Sequence, residues 1–473
     1  MMKFYFIGVG GTAMGSVAIA LKNQGHEVSG SDEALYEPML SQLQNSGIEL
    51  FEGFGAAQVP SDVDVVVIGN AMSRGHCEVE AVMSRKQFYL SLPETMRHYL
   101  LQGKSNLVIT GTHGKTTTTS LTTWLFEYAS QVSDYPQPNY MIGGVAKNMQ
   151  YTARFNPQAQ YTILEGDEYD TAFFDKRSKF LHYLPEAVVL GNIEFDHADI
   201  YDDLEQILKT FRYLLRAVPQ DGLVLANGDD ANVLNVLADS YSPVKKVGLG
   251  ASNDAVISGI EPCELTNEAG VTIRGTQFSF EGDVYQMSLQ GEFNVRNAAM
   301  AISLAKHAGI DTATIQAGLA QFAGIARRQE LKGEVNGVKV IDDFAHHPTA
   351  LKQAIVSLKS GIAGEGRLVA IFEPRSNTTR RNIFQQDLVD ALKDADVLYM
   401  LDIKDSRITQ EEQLDTQQLI DDVAKAGCEA YLGATVDSMV VDICAQAQSG
   451  DVLAVFSNGG FDGIHNKLLE KLV

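Results

Sequence analysis

The chain has 473 residues, 45% of them hydrophobic and 21% charged, proportions that exclude a disordered chain, a coiled coil and a collagen-like repeat. Lys and Arg number 37 against 60 Asp and Glu, a net charge of −23, which argues against nonspecific binding to nucleic acid or to an anionic membrane. Cys77, Cys263, Cys428 and Cys444 lie far apart with no CxxC pair, so neither a zinc site nor a disulfide framework is indicated, and a reducing, cytoplasmic setting fits.

At roughly 150 residues per domain the length predicts about three domains. Residues 4–21 carry no charge, and Ala18-Ile19-Ala20 has the small-residue spacing of a signal-peptidase site. Gly8, Gly10, Gly11 and Gly15 break the run where an export signal needs a continuous apolar helix, so it is read as folded structure. No other stretch is long and apolar enough to span a bilayer. KFYFIGV predicts a strand, AMGSVAIALKNQG a helix and HEVSGSD a second strand. VDVVVIGNA follows a second helical stretch and predicts a buried strand, a βαβ rhythm that implies a parallel sheet covered by helices. Gly8-Val9-Gly10-Gly11-Thr12-Ala13 fits the alanine-tolerant form of GxGxxG between strand and helix, and Asp32 ends the second strand. Glycine admits a pyrophosphate to the backbone, the helix N-terminus favours anions, and the acid can take ribose hydroxyls. The pattern signals a nucleotide diphosphate without choosing between NAD and a UDP-sugar; a glycine turn serving packing alone is the alternative.

A fresh strand, NLVIT, opens a second unit and runs into Thr110-Gly111-Thr112-His113-Gly114-Lys115-Thr116-Thr117. An amphipathic helix with Leu121, Trp124, Leu125 and Tyr128 on one face follows, the strand–loop–helix context of a phosphate-binding loop. Backbone N–H groups cradle phosphates there, Lys115 neutralises the β/γ charge and the Thr116 hydroxyl ligates Mg²⁺. The loop departs from GxxxxGK[ST], since position 109 is Ile. Glu165-Gly166-Asp167-Glu168 and Asn192-Ile193-Glu194-Phe195-Asp196-His197 end later strands, where a parallel sheet gathers its ligands and carboxylates suit Mg²⁺. LVLANGD predicts a further strand, and residues 251–290 alternate as short strands with turns, which predicts a small antiparallel insertion. Asn294 and Asn297 start a helix, either as caps or as amides for adenine. GVKVIDDFAHHP then opens a third βα series, continued by RLVAIFEP, DVLYMLD and DVLAVFSNGG. Boundaries near 104 and 326 give domains 1–104, 105–325 and 326–473. His346-His347 also suits the turn before Pro348 at a first helical position.

TGTHGKTTT, EGDEYD, NIEFDHAD, GEFNVRNAA, ARRQELKGE and DDFAHHPT occur in this order. Together they resemble the Mur ligase family, ATP-dependent amide-forming enzymes of peptidoglycan metabolism, over essentially the whole chain. The resemblance implies an α/β protein of three domains: an N-terminal Rossmann-like UDP-binding domain, a central P-loop ATPase-like domain carrying the antiparallel insertion, and a C-terminal Rossmann-like, peptide-binding domain. Gly8, Gly10, Gly11 and Asp32 look like the UDP site of the branch acting on UDP-N-acetylmuramate. Gly69–Gly75 with Asn70, Phe173–Phe180, Glu373–Thr378 and Ser457–Phe461 resemble the members that attach the recycled tripeptide L-alanyl-γ-D-glutamyl-meso-diaminopimelate, more than those that add L-alanine.

Carried over by motif, the resemblance places ATP on Gly111, Thr112, His113, Gly114, Lys115, Thr116 and Thr117, with Asn297 at adenine and Asp343 at the ribose. It places Mg²⁺ on Thr116 and Glu165 and a second ion at His197, and Arg328 at the transferred phosphate. His346, His347, Arg375, Ser376 and Asn377 are expected to contact the incoming peptide. Phe293 stands where L-alanine-adding members usually have His, and Phe211 where some members carry a carbamoylated lysine, so no carbamoylation is expected. The implied chemistry converts the muramoyl carboxylate to an acyl phosphate that the peptide amine attacks, with partners limited to these substrates. The rival readings are the L-alanine-adding ligase, an NAD-dependent oxidoreductase resting on the first glycine turn, and a nonenzymatic nucleotide sensor.

Overall fold

The computed structural model describes residues 1–266, 270, 272–362, 364–403 and 408–473. Lys3–Ile7 is the middle of a five-stranded parallel sheet, flanked by Glu27–Asp32 and Val65–Ile68, with Glu49–Glu52 and Tyr89–Ser91 at the edges. The chain therefore winds one way from Lys3–Ile7 and then reverses. Its first glycine turn sits where adjacent connections diverge, the place at which an open parallel sheet leaves a crevice.

The second sheet has ten strands. Its parallel centre runs Val244–Gly248, Leu223–Asn227, Pro185–Leu190, Ser105–Thr110, Tyr161–Glu165, Asn139–Met141. The stretch 251–290 is antiparallel as expected, but it extends this sheet. Ala255–Thr266 joins Val244–Gly248 in parallel, then Thr272–Phe280 and Asp283–Met287 fold back on it. Residues 267–269 and 271 of that stretch lie outside the described residues. The third sheet runs Glu330–Val335, Val338–Asp343, Val452–Phe456, Leu368–Phe372, Val397–Leu401, Glu429–Gly433, parallel except for its first pair. Val65–Ile68, Leu368–Phe372 and Val452–Phe456 are buried along their whole length. Such unbroken apolar runs are what strands covered by helices on both faces require. The α/β class expected from the sequence is the class observed.

The helix behind the second glycine loop, Lys115–Val132, departs from the amphipathic expectation. Thr116 through Glu127 are all buried. One side lies on the central sheet and the other is covered by the helices Glu292–His307 and Thr312–Ala320. The apolar stripe marks only the larger side chains; Thr and Ser fill the tighter contacts, and the Thr122 hydroxyl donates back to the Thr118 carbonyl at 2.8 Å, a bond that suits hydroxyls in helix interiors. One apolar cluster runs from the first sheet into the central one, joining Phe4 and Leu101 to Val108 and Leu214. Phe195, from the central unit, packs on the core of the third. Among the described residues no helix is long and apolar enough to cross a membrane.

Candidate active site

At the first glycine turn, the amides of Gly8 and Val9 donate to the Ser31 carbonyl at 2.8 and 3.0 Å. The Gly10 amide donates to Asp32 Oδ2 at 2.7 Å. A Cβ at Gly10 would fall 2.9 Å from that carboxylate oxygen, so glycine is needed for the close approach. Asp32 closes the turn from the neighbouring strand, and Asn70 is exposed beyond Val65–Ile68. Behind them the fully buried Glu78 accepts from Ser31 Oγ at 2.5 Å, Tyr5 OH at 3.2 Å and the Gly55 amide at 3.0 Å.

The second loop leaves Ser105–Thr110 and turns into Lys115–Val132 at Gly114, whose φ is 81°. A Cβ there would meet Asn297 Oδ1 at 2.6 Å, which fixes glycine for conformation and space together. Asn192 secures the loop: its Oδ1 accepts from the His113 amide at 2.7 Å, and its carbonyl accepts from the Thr112 amide at 2.9 Å. Lys115 Nζ donates to the Gly111 carbonyl and to Glu168 Oε2, each at 2.7 Å. Burial works against the Lys115 charge, but Glu168, Asp167 and Glu165 outweigh it and raise its pKa. Burial likewise opposes the Glu168 carboxylate, yet Lys115 and His197 hold it at about 2. His197 Nε2 lies 3.3 Å from Glu168 Oε1. Its backbone is left-handed, at φ 56°, a conformation costly for a non-glycine residue and typical of functional sites.

Thr116 Oγ1 donates to Glu165 Oε1 at 2.7 Å, and the Gly143 amide donates to Glu165 Oε2 at 2.7 Å. Burial and the neighbouring Asp167 raise the Glu165 pKa. A buried hydroxyl–carboxylate pair burdened with excess negative charge is what a hard dication relieves, so the residues fit Mg²⁺.

These groups line a cavity of about 830 Å³ between the second and third units. Asn297, Arg328, Asp343, His346 and His347 line it as well. Asn294 and Asn297 do not cap their helix: the N-cap is Gly291, and Asn294 Nδ2 donates to the Gln290 carbonyl at 2.7 Å. Asn297 faces the phosphate loop instead. Asp343 accepts from the Ala345 amide at 2.7 Å and the Gln329 amide at 2.9 Å, and burial raises its pKa. The Arg328 guanidinium stacks 5.1 Å from the Phe344 ring and, among the described residues, forms no ion pair. Arg327 also lines the cavity and lies 5.0 Å from the same ring, but its guanidinium is held by Asp342 and the carbonyls of Ser457 and Gly459. Burial holds His346 below its ordinary pKa, and its Nδ1 donates to the Phe344 carbonyl at 3.0 Å in the tautomer that satisfies that contact. His347 is the side-chain N-cap of Pro348–Gly361, so the turn-before-proline reading holds for it. Burial and His113 hold it at about 4.

In the sequence Glu194 is only one carboxylate of the Asn192–His197 cluster, with no role of its own. Its carboxylate lies 3.2 Å from His113 Nε2, accepts from Thr349 Oγ1 at 2.6 Å and lies 3.5 Å from His347 Nδ1. Burial opposes its charge, but His113 and Thr349 hold it at about 2. His113, Glu194 and His347 bring three potential ligand atoms within 4.8 Å of one another; Glu194 pairs with His113 and accepts from Thr349 Oγ1, while His347 Nδ1 accepts from the Thr349 amide at 3.3 Å.

The cavity does not take in Gly8, Gly10, Gly11, Asp32 or Asn70, nor Arg375, Ser376 or Asn377. The 373–379 loop docks beside it: Thr378 Oγ1 donates to Asp196 and Asn377 Nδ2 to Asp199, each at 3.0 Å. Arg375 is half-exposed, 3.7 Å from Glu373.

Residues 3–103 match the description "Mur ligase family, catalytic domain", 109–305 "Mur ligase middle domain" and 327–459 "Mur ligase, glutamate ligase domain". The chain is 40% identical, over 100% of its length and 98% of the relative's, to the UDP-N-acetylmuramate–L-alanyl-γ-D-glutamyl-meso-2,6-diaminoheptandioate ligase of Escherichia coli. It is 34% identical over 85% of its length, and 82% of the relative's, to a UDP-N-acetylmuramate–L-alanine ligase of a Geobacter species. The crystal structure of a murein peptide ligase from Psychrobacter arcticus superposes with a TM-score of 0.69 at 33% identity, covering 100% of this chain and 99% of that one. With full-length identity at this level and a phosphate loop, a hydroxyl–carboxylate pair and a facing guanidinium in one cavity, the chain belongs to the Mur ligase family.

Proposed function

We propose that the protein is an ATP-dependent ligase that joins L-Ala-γ-D-Glu-meso-diaminopimelate to UDP-N-acetylmuramate through an acyl phosphate. The cavity carries the reading: a lysine-bearing phosphate loop faces a guanidinium from another unit, in a chain that matches the E. coli tripeptide ligase from end to end. Residues 1–104 are assigned to the UDP-sugar, 105–325 to ATP and 326–473 to the peptide, a division supported by the three large sheets among the described residues, of five, ten and six strands.

When bound, ATP supplies the phosphoryl group that gives the muramoyl carboxylate a leaving group, which a free carboxylate lacks. Lys115 holds its ammonium at a helix N-terminus where phosphate charge gathers. Thr116 and Glu165 would hold Mg²⁺, which would neutralise that charge, and His197, once neutral and released from Glu168, would hold a second ion. Asn297 and Asp343 orient the adenine and ribose. Arg328 approaches the transferred phosphate with its guanidinium free for two-point contact. His346 is neutral near pH 7, and with Nδ1 on the Phe344 carbonyl its Nε2 keeps the lone pair that receives the amine proton. Gly8, Gly10, Gly11, Asp32 and Asn70 hold the UDP-sugar. Arg375, Ser376 and Asn377 hold the peptide, while His347, expected there too, spends both ring nitrogens on the Thr349 amide and the Phe195 carbonyl. Positioning and charge neutralisation thus dominate, and covalent participation by the protein is absent from this scheme.

The test is phosphate release by the purified protein with UDP-N-acetylmuramate, Mg²⁺ and ATP, supplied with either the tripeptide or L-alanine. Tripeptide-dependent release is expected. Release with L-alanine at equal or greater kcat/KM would transfer the assignment to the L-alanine-adding reaction.

A further inference from the structure

We infer that Glu194 is a positioning residue that ties the phosphate loop to the third unit and so sets the geometry of the nucleotide cavity. The inference rests on the ATP-dependent reading above, but not on the identity of the peptide. Glu194 follows the strand Pro185–Leu190 and contacts the loop twice beyond its carboxylate: its amide donates to Thr112 Oγ1 at 2.9 Å, and its carbonyl accepts from the same hydroxyl at 3.3 Å. The carboxylate then reaches His113 at 3.2 Å on the loop and Thr349 Oγ1 at 2.6 Å on Pro348–Gly361. Thr349 stands six residues beyond Asp343 on the same strand–helix connection, and Arg328 stacks on Phe344 within it. The segment that Glu194 holds therefore carries Asp343, one third-unit group assigned to ATP, and presents the Phe344 ring on which Arg328, the other, rests. The His347 Nε2 contact to the Phe195 carbonyl at 3.2 Å and the packing of Phe195 on the third core reinforce the same seam.

A side chain that only stabilised the fold would change melting without changing nucleotide affinity. A bridge between loop and third unit makes a different demand: removing either end must weaken ATP, and removing both must cost no more than removing the stronger end. A hydrogen bond to a charged group corresponds to about tenfold in affinity. In the full-length protein with Mg²⁺, Glu194→Gln is expected to weaken binding of a nonhydrolysable ATP analogue about tenfold. Thr349→Val is expected to weaken it by about fivefold, and the double variant by no more than about twofold beyond Glu194→Gln alone. Thr349→Ser, which keeps the hydroxyl, is expected to restore wild-type affinity, and UDP-N-acetylmuramate binding stays within about twofold throughout. Affinity measured without peptide keeps this result separate from the acceptor assignment. Additive losses in the double variant, or unchanged ATP affinity alongside a lowered melting temperature, would overturn the bridge. Should Glu194→Gln fail to fold, the Thr349 pair decides: equal affinities for the Val and Ser variants would overturn it just as well.

Discussion

Lys115 Nζ and Glu168 Oε2 lie 2.7 Å apart with 11% and 3% of their side chains exposed, a buried ion pair at the mouth of the phosphate loop. Glu168 is thereby the counter-charge that lets a lysine stay charged out of water. Lys115→Ala is expected to lower kcat by at least about 100-fold, the effect of removing one preorganised donor, with UDP-N-acetylmuramate affinity little changed. Glu168→Gln strands the ammonium, and breaking one side of a buried pair costs about 3 kcal/mol, which urea unfolding would read directly.

Acid sensitivity follows from the same group and its neighbours. Glu168 and Glu194 are each held at about 2, against 4.5 for an ordinary glutamate. In both cases the unfolded chain takes up protons before the folded one does. Their stabilisation is complete above about pH 4.5 and disappears as pH falls toward 2. His347, held at about 4 against 6.5, acts in the same direction: the unfolded imidazole protonates first, so stability declines as pH drops from 6.5 toward 4. Denaturation midpoints are expected to fall steadily from pH 7 to pH 3.5. A midpoint unchanged over that range would contradict these assignments.

Arg328 offers a cleaner separation of chemistry from stability. Its guanidinium stacks on Phe344 and, among the described residues, is not held in an ion pair, so Arg328→Ala is expected to leave the melting temperature nearly unchanged. kcat is expected to fall by about 100-fold or more if the side chain neutralises the transferred phosphate. Arg328→Lys, which keeps the charge but loses the planar fork, is expected to recover only part of that loss.

Gly10→Ala tests the first nucleotide turn independently of the second. The added methyl would press on Asp32 at 2.9 Å and displace the carboxylate that closes the turn. KM for UDP-N-acetylmuramate is expected to rise about tenfold, the scale of one lost charge-assisted hydrogen bond, with KM for ATP unmoved. A parallel rise in both constants would contradict the proposed assignment of the two nucleotides to separate turns, since Gly10 and Asp32 do not line the central cavity.

Much of this arrangement was legible before any coordinates. The phosphate loop compresses strand, glycine turn, lysine and hydroxyl into eight consecutive residues, so local pattern suffices for Lys115 and Thr116. Glu165 and His197 were legible because a parallel sheet delivers strand ends to one edge. Glu168 and Glu194 were legible only as members of strand-end acidic clusters and Glu78 not at all, for a shared reason: their defining partners lie 53, 155 and 47 residues away. A carboxylate alone in a string does not announce such a partner. The all-round burial of Lys115–Val132 was missed because threonine reads as polar in a periodicity, yet its small side chain packs where helices crowd. Short edge strands such as Glu49–Glu52 and Ala153–Arg154 carry too few residues to show a period.

That enclosed helix sets where this protein can be altered. Sheet on one side and two helices on the other leave its first turn no freedom to slide or tilt. If the cavity takes the nucleotide as proposed, redesign of its preference must work from the rim, at Phe293, Asn297 and the segment around Asp343 that line it, while the axis behind the lysine stays as a fixed datum.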